Sequence, residues 1–102
     1  MSSDYTNTAP VLDNHLLYTN ANQPVSTQLT YHDAENDVVI FSTSSNVTEH
    51  GAVTVTEHGW LEYTPERFYH GWDEITVVLT ETDLIPGKYD LVVLVHVLQY
   101  TM

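Results

Sequence analysis

Apolar and polar residues alternate with a period of two along most of the chain. Val25, Thr27, Leu29 and Tyr31 interleave with Ser26, Gln28, Thr30 and His32. Ile75, Val77 and Leu79 interleave with Thr76, Val78 and Thr80, and Leu61 and Tyr63 stand between Trp60, Glu62 and Thr64. Val53 and Val55 stand likewise between Ala52, Thr54 and Thr56. Successive side chains of a strand leave on opposite faces, so alternation rich in β-branched and aromatic residues marks strands with one face in a core. No window carries a helical i, i+3, i+4, i+7 stripe of useful length. Alanine, the best helix former, occurs only at positions 9, 21, 34 and 52.

Turn-forming segments separate seven such runs, predicted at 11–18, 25–32, 38–43, 52–56, 60–64, 73–82 and 88–99. Strands this short, punctuated at this spacing, predict an all-β chain folded as a seven-stranded antiparallel Greek-key β-sandwich of immunoglobulin type. The expected division is a linker over 1–8, one domain over 9–99 and a tail over 100–102. The predicted core is Leu29, Tyr31, Val39, Phe41, Val53, Val55, Leu61, Tyr63, Ile75, Val77, Leu79, Val93 and Val95. The last run breaks the pattern. It is apolar on both faces, with Leu91, Val93, Val95 and Val97 on one and Val92, Leu94 and Leu98 on the other. It either lies centrally in its sheet or meets something with its outer face.

Charge narrows the partners. Fourteen Asp and Glu face one lysine (Lys88) and one arginine (Arg67), for a net charge of −12. Two cations cannot build a basic patch, so nucleic acid and anionic membrane surfaces are poor partners, and neither nucleic-acid binding nor membrane insertion is expected. Cations, divalent ones above all, relieve such self-repulsion. Cysteine is absent, which rules out a disulfide framework, a thiolate zinc site and a cysteine nucleophile. Residues 1–5 lack the basic start and apolar run of a signal peptide. The longest apolar run, Leu91 to Val95, is too short to span a membrane. The expectation is a piece of a longer secreted protein, monomeric when isolated.

Several segments in order carry a resemblance. Gly59-Trp60-Leu61-Glu62-Tyr63-Thr64-Pro65 is followed by Phe68-Tyr69-His70-Gly71-Trp72-Asp73 and then by the strand opening Ile75-Thr76-Val77. Upstream stand Ala9-Pro10-Val11 and the acidic turn His32-Asp33-Ala34-Glu35-Asn36-Asp37. Together they resemble the bacterial cadherin-like, immunoglobulin-like tandem repeats of large RTX-type adhesins, over about residues 7 to 98. The resemblance implies a structural extender repeat. It would be a calcium-rigidified spacer, secreted to the bacterial cell surface, supporting adhesion or biofilm formation beside neighbouring repeats of its own polypeptide. The chain departs from the pattern at Asn20-Ala21-Asn22-Gln23-Pro24, where two acidic residues are missing, and at Glu35 and Asn36 in the acidic turn.

Calcium takes six to eight oxygen ligands. Asp33, Glu35 and Asp37 fall within one turn, and in an immunoglobulin-like sandwich Asn7 converges on the same pole, with Asp83 near it. The opposite pole gathers Glu66 and Asp73. The competing reading is that these carboxylates solvate loops and cap turns, Asp73 by bonding backbone within its own turn. The six histidines, at 15, 32, 50, 58, 70 and 96, show no ligand-like spacing; His32, beside the acidic turn, is placed to titrate near neutral pH. Trp60 and Trp72 fall on outward or loop positions. They give the alternative function, a β-sandwich module that binds carbohydrate or protein through exposed aromatics, against the plainer reading of a cluster with Phe68 and Tyr69. No nucleophile elbow or other catalytic motif is present, so no enzymatic activity is expected.

Overall fold

The computed structural model describes residues 10–32, 38–82 and 87–99. Among these residues there are nine strands and no helix. In chain order they are β1 (Val11–Leu12), β2 (Leu16–Asn20), β3 (Val25–Gln28), β4 (Tyr31–His32), β5 (Val39–Thr43), β6 (Gly51–Val55), β7 (Trp60–Pro65), β8 (Gly71–Glu81) and β9 (Lys88–Leu98). A four-stranded sheet, β2-β9-β8-β5, packs on a three-stranded one, β3-β7-β6, and β1 and β4 form a short pair of their own. The chain is an all-β, immunoglobulin-like sandwich.

All seven predicted runs are strands, but the first two are each broken, which corrects the count to nine. The breaks lie opposite one another and are bonded together. The Asp13 N–H donates to Thr30 O at 2.9 Å. The Asn14 amide donates to Gln28 O at 2.9 Å and accepts from the Thr30 N–H at 3.2 Å. A polar side chain that replaces ladder bonds in this way lets the strand leave its partner without orphaning backbone groups. Beyond the break the chain changes sheets: β1 pairs with β4, whereas β2 pairs with β9. The second pairing is parallel, Leu16 opposite Leu94 through Asn20 opposite Leu98. The expectation of a wholly antiparallel sandwich is corrected accordingly. The first and last strands traverse the domain in the same direction, so they cannot pair otherwise.

The core follows the alternation. Leu61, Tyr63, Ile75, Val77, Leu79, Val93 and Val95 are fully buried, and Leu29, Val39, Phe41 and Val53 nearly so. Tyr31 and Val55 pack against the core half-buried. Leu12, Leu17, Ala21 and Val97 complete it. Between β6 and β7, Gly59 adopts φ +93° in a tight turn, where a Cβ would stand 2.9 Å from the Phe41 ring. Strand β9 lies between β2 and β8, yet Val92, Leu94 and Leu98 on its outer face stay substantially exposed. Of the two readings of its apolar faces, the strand's central place is the one seen here, and its outer face is bare within this domain.

The registers also fix the poles. Val11 stands beside His32, at the end of the second run. Leu98 stands beside Asn20, next to the turn that starts that run, and its carbonyl accepts from the Ala21 N–H at 2.8 Å. The described chain enters at one end of the sandwich and leaves at the other.

Candidate functional site

The outer face of the four-stranded sheet carries an aromatic row. Register puts Tyr18 of β2 opposite His96 of β9, and His96 opposite Trp72 of β8. The Trp72 and His96 rings stack with centroids 4.3 Å apart and planes 5° from parallel. Tyr18 leans on the other side of the histidine at 5.9 Å. Trp72 nevertheless remains 52% exposed. Along β8 the residues after it on the same face are Glu74 and Thr76, and beside Glu74 on β9 is Leu94. Strand β5 pairs with β8 only from Val77 onward, so the first half of β8 is flanked instead by the segment over 44–50. Glu49 of that segment, with Trp72, Glu74, Thr76 and Leu94, lines an open groove of about 620 Å³.

Beneath the groove lies a buried polar node. Asp73 points inward and is 4% exposed. Its Oδ2 accepts from the Tyr63 hydroxyl at 2.6 Å, the Thr48 hydroxyl at 2.5 Å and the His50 N–H at 3.3 Å, and its Oδ1 accepts from the Glu74 N–H at 2.9 Å. Burial, reinforced by the Asp73 carboxylate, pushes the Tyr63 phenol well above the ordinary tyrosine range. His50 in turn stacks on Tyr69, centroids 3.9 Å apart, and the Tyr69 hydroxyl donates to Trp72 O at 2.6 Å. This node fixes the 44–50 segment and the backbone of Trp72.

The structure separates several residues that the sequence grouped. Trp60 and Trp72 lie on different sheets and form no common surface. Trp60 faces out from β7, with its indole N–H 3.3 Å from Glu62 Oε2. The cluster with Phe68 and Tyr69 is met in part: Tyr69 bonds to the Trp72 carbonyl, but the Trp72 ring stacks on His96, and Phe68 is 68% exposed under the Arg67 guanidinium. Asp73, at the head of the predicted run 73–82, sits in strand β8 with its oxygens turned to protein donors rather than outward at the pole. Glu66 is exposed at the pole where the chain leaves. Asn7, Asp33, Glu35, Asp37 and Asp83 lie outside the described residues. Among the described residues no group of three or more His, Asp or Glu stands close enough to hold a metal ion. His32 pairs through Nδ1 with Asp13 Oδ1. The Thr30 hydroxyl, donating to Asp13 Oδ2 at 2.7 Å, together with His32 holds that carboxyl below its usual range against the opposing effect of burial. His96 and Tyr18, which complete the aromatic row, escaped the sequence reading. The parallel pairing that aligns them has no local signature.

A family model for the bacterial Ig domain matches residues 7–84. Among curated protein sequences none matches the chain. Two similar solved structures are a nucleoside hydrolase-related protein of Saccharophagus degradans associated with carbohydrate metabolism, and an endo-fucoidan hydrolase of glycoside hydrolase family 107. The first is 16% identical with a TM-score of 0.60, covering 94% of this chain and 28% of that one. The second is 16% identical with a TM-score of 0.61, covering 97% of this chain and 15% of that one. The chain thus spans less than a third of the length of either, and at this identity the likeness is one of fold.

Proposed function

Because the chain belongs to the bacterial Ig domain family, we propose that it is a structural repeat: a non-catalytic spacer in a secreted, surface-attached bacterial adhesin, stiffened by calcium at its junctions. The observation that carries this reading is the placement of entry and exit at opposite poles, Val11 beside His32 and Leu98 beside Asn20. A domain traversed end to end adds its full length to an array. One whose ends meet adds a side branch. The similar folds that occupy a minor part of much longer chains support modular use.

Calcium enters through charge. In a tandem array, Glu66 on the exit pole of one repeat approaches the acidic turn Asp33, Glu35 and Asp37 of the next, with Asn7 in the connecting linker. Without a cation these oxygens repel and the junction hinges. With calcium they become ligands, and extracellular calcium modules work at about 10⁻⁴ to 10⁻³ M. Asp73, whose oxygens already accept from Tyr63, Thr48 and two backbone N–H groups, is left out of this ligand set. Small-angle scattering of two joined copies tests the reading in chelator, in high sodium chloride and in millimolar calcium. Calcium alone should lengthen the maximum dimension, because monovalent salt screens charge without coordinating. Equal dimensions in all three solutions would remove calcium from the mechanism. A compact, folded-back pair in calcium would remove the spacer role itself.

A further inference from the structure

The geometry points to a lateral binding site that a spacer role does not require: a groove for an uncharged glycan on the outer face of β8 and β9, with the free face of the Trp72 indole as one wall. A tryptophan left half exposed on a sheet normally retains rotamer freedom. Here His96 covers one ring face in a near-parallel stack, and Tyr18 backs the histidine. The hydrogen bond from Tyr69 fixes the Trp72 carbonyl as well. The ring is therefore held in place before any ligand arrives, which lowers the ordering cost of binding. With Leu16, Val92 and Leu94, the row makes a contiguous exposed apolar surface of the kind that marks a binding face.

The lining sets the chemistry. Trp72, Glu74 and Thr76 follow one another on the same face of β8, about 7 Å apart at each step. Glu49 closes the side, and the groove's 620 Å³ falls within the range of small-ligand sites. A pyranose ring has an apolar C–H face and a rim of hydroxyl donors. The face suits the indole, and the rim suits carboxylates, to which hydroxyls make charge-assisted bonds. The same carboxylates, on a domain of net charge −12, repel uronate and sulfate groups, and neither Lys88 nor Arg67 lines the groove to receive them. A second copy of the chain is disfavoured on the same ground, since two such faces would set Glu49 and Glu74 against each other. The site lies on the outer face of the sheet and runs from Trp72, close to the exit pole, toward Thr76 in mid-strand, and none of its contacts involves calcium.

Affinity electrophoresis and calorimetry of the domain test this against three uncharged polysaccharides, a β-glucan, a xylan and a mannan, with alginate and a sulfated carrageenan as acidic controls. At least one uncharged polymer should bind and the acidic ones should not. Trp72→Ala should weaken binding at least about tenfold, Trp72→Phe by less, and Trp60→Ala not at all. Circular dichroism of each variant separates lost binding from lost folding, and the exposed Trp72→Phe variant remains informative where Trp72→Ala unfolds. Four results each overturn the proposal: no uncharged polymer binds; the acidic polymers bind as well; the Trp72 variants bind like the parent; or sedimentation shows self-association that Trp72→Phe weakens, which would assign the face to a second copy. Because these tests use a single domain without calcium, they stand or fall separately from the scattering experiment.

Discussion

The Tyr63 hydroxyl donates to Asp73 Oδ2 at 2.6 Å, joining the three-stranded sheet to the four-stranded one through the interior of the sandwich. Tyr63 is fully buried and Asp73 nearly so. Gly51 makes room for the pair: a Cβ there would lie 2.8 Å from the tyrosine hydroxyl and 2.6 Å from Thr64 O. The contact specifies how the sheets face each other in a way that interchangeable apolar side chains do not.

Its removal should be costly in a definite order. Tyr63→Phe deletes one donor and leaves Asp73 three others, for a loss of about 1.5–3 kcal/mol, the usual range for a bond to a charged group. Asp73→Ala strands the Tyr63 and Thr48 hydroxyls and the His50 N–H together, each at about 1–3 kcal/mol where it stays buried. Urea unfolding should show the larger drop in midpoint for Asp73→Ala, with unchanged slope for both. The reverse order would show that burying the Asp73 charge costs about as much as its hydrogen bonds return, so that the carboxylate does not hold the node.

The raised phenol gives the node an alkaline limit. A group protonated in the fold at a pH where the unfolded chain ionises contributes stability that is complete below the unfolded value, about pH 10, and declines above it. The stability difference between the protein and Tyr63→Phe should therefore shrink as pH rises beyond about 10. In a spectrophotometric titration, one of the seven tyrosines should yield its phenolate only with unfolding. Complete titration of all seven in the folded state would contradict the buried bond.

Strand positions and most of the core were legible because alternation is a local signal: Leu61, Tyr63, Ile75 and Val77 each announce their face through their neighbours. What local pattern does not encode is which strands meet. The parallel pairing of β2 with β9 joins residues nearly 80 apart, as Leu16 with Leu94, and with it came the unseen row of Tyr18, His96 and Trp72. The double-sided apolar character of β9 and the outward Trp72 were the sequence signals that pointed toward that face. The bonding of Asp73 was missed for a related reason. It heads the predicted run 73–82, but its partners Thr48 and Tyr63 come from distant segments, and no local pattern shows that its oxygens turn inward. The two breaks were invisible because Asn14 and Thr30 substitute side-chain bonds for ladder bonds only once the strands are adjacent.

The clasp at those breaks should make itself felt in acid. Asp13 is held below its usual range first by the Thr30 hydroxyl and then by His32. A depressed carboxylate contributes stability that is complete above its unfolded value, about pH 4, and is lost as pH falls through the lower folded value. Asp13→Asn should thus unfold more easily than the parent at neutral pH, and the two should converge as pH drops below about 4. A gap that persists unchanged at pH 2 would mean that the Asp13 charge plays no part in it.

Phe68 is the position where losing a large side chain should cost little. It is 68% exposed and carries φ +66°, a left-handed backbone that costs a residue with a side chain about 1–2 kcal/mol. Its N–H donates to Asn22 Oδ1 at 2.8 Å, which holds the conformation from the facing turn, and its ring lies 5.0 Å from the Arg67 guanidinium. An exposed cation–π contact returns only about 0.5–1 kcal/mol. Phe68→Gly removes the strain and the contact, and it adds about 0.4–1 kcal/mol of unfolded-chain entropy. The terms nearly cancel, so the isolated domain should change in stability by less than about 1 kcal/mol despite the loss of a whole aromatic side chain. An asparagine restricts the unfolded backbone more than glycine does and still tolerates the left-handed region, so Phe68→Asn should be the more stable of the two. Thermal unfolding of both variants decides the matter. If either loses several kcal/mol, the ring packs against the domain more than its exposure indicates. If single domains are indifferent but joined copies hinge more freely with Phe68→Gly, the strained ring is a contact for the following repeat at the exit pole.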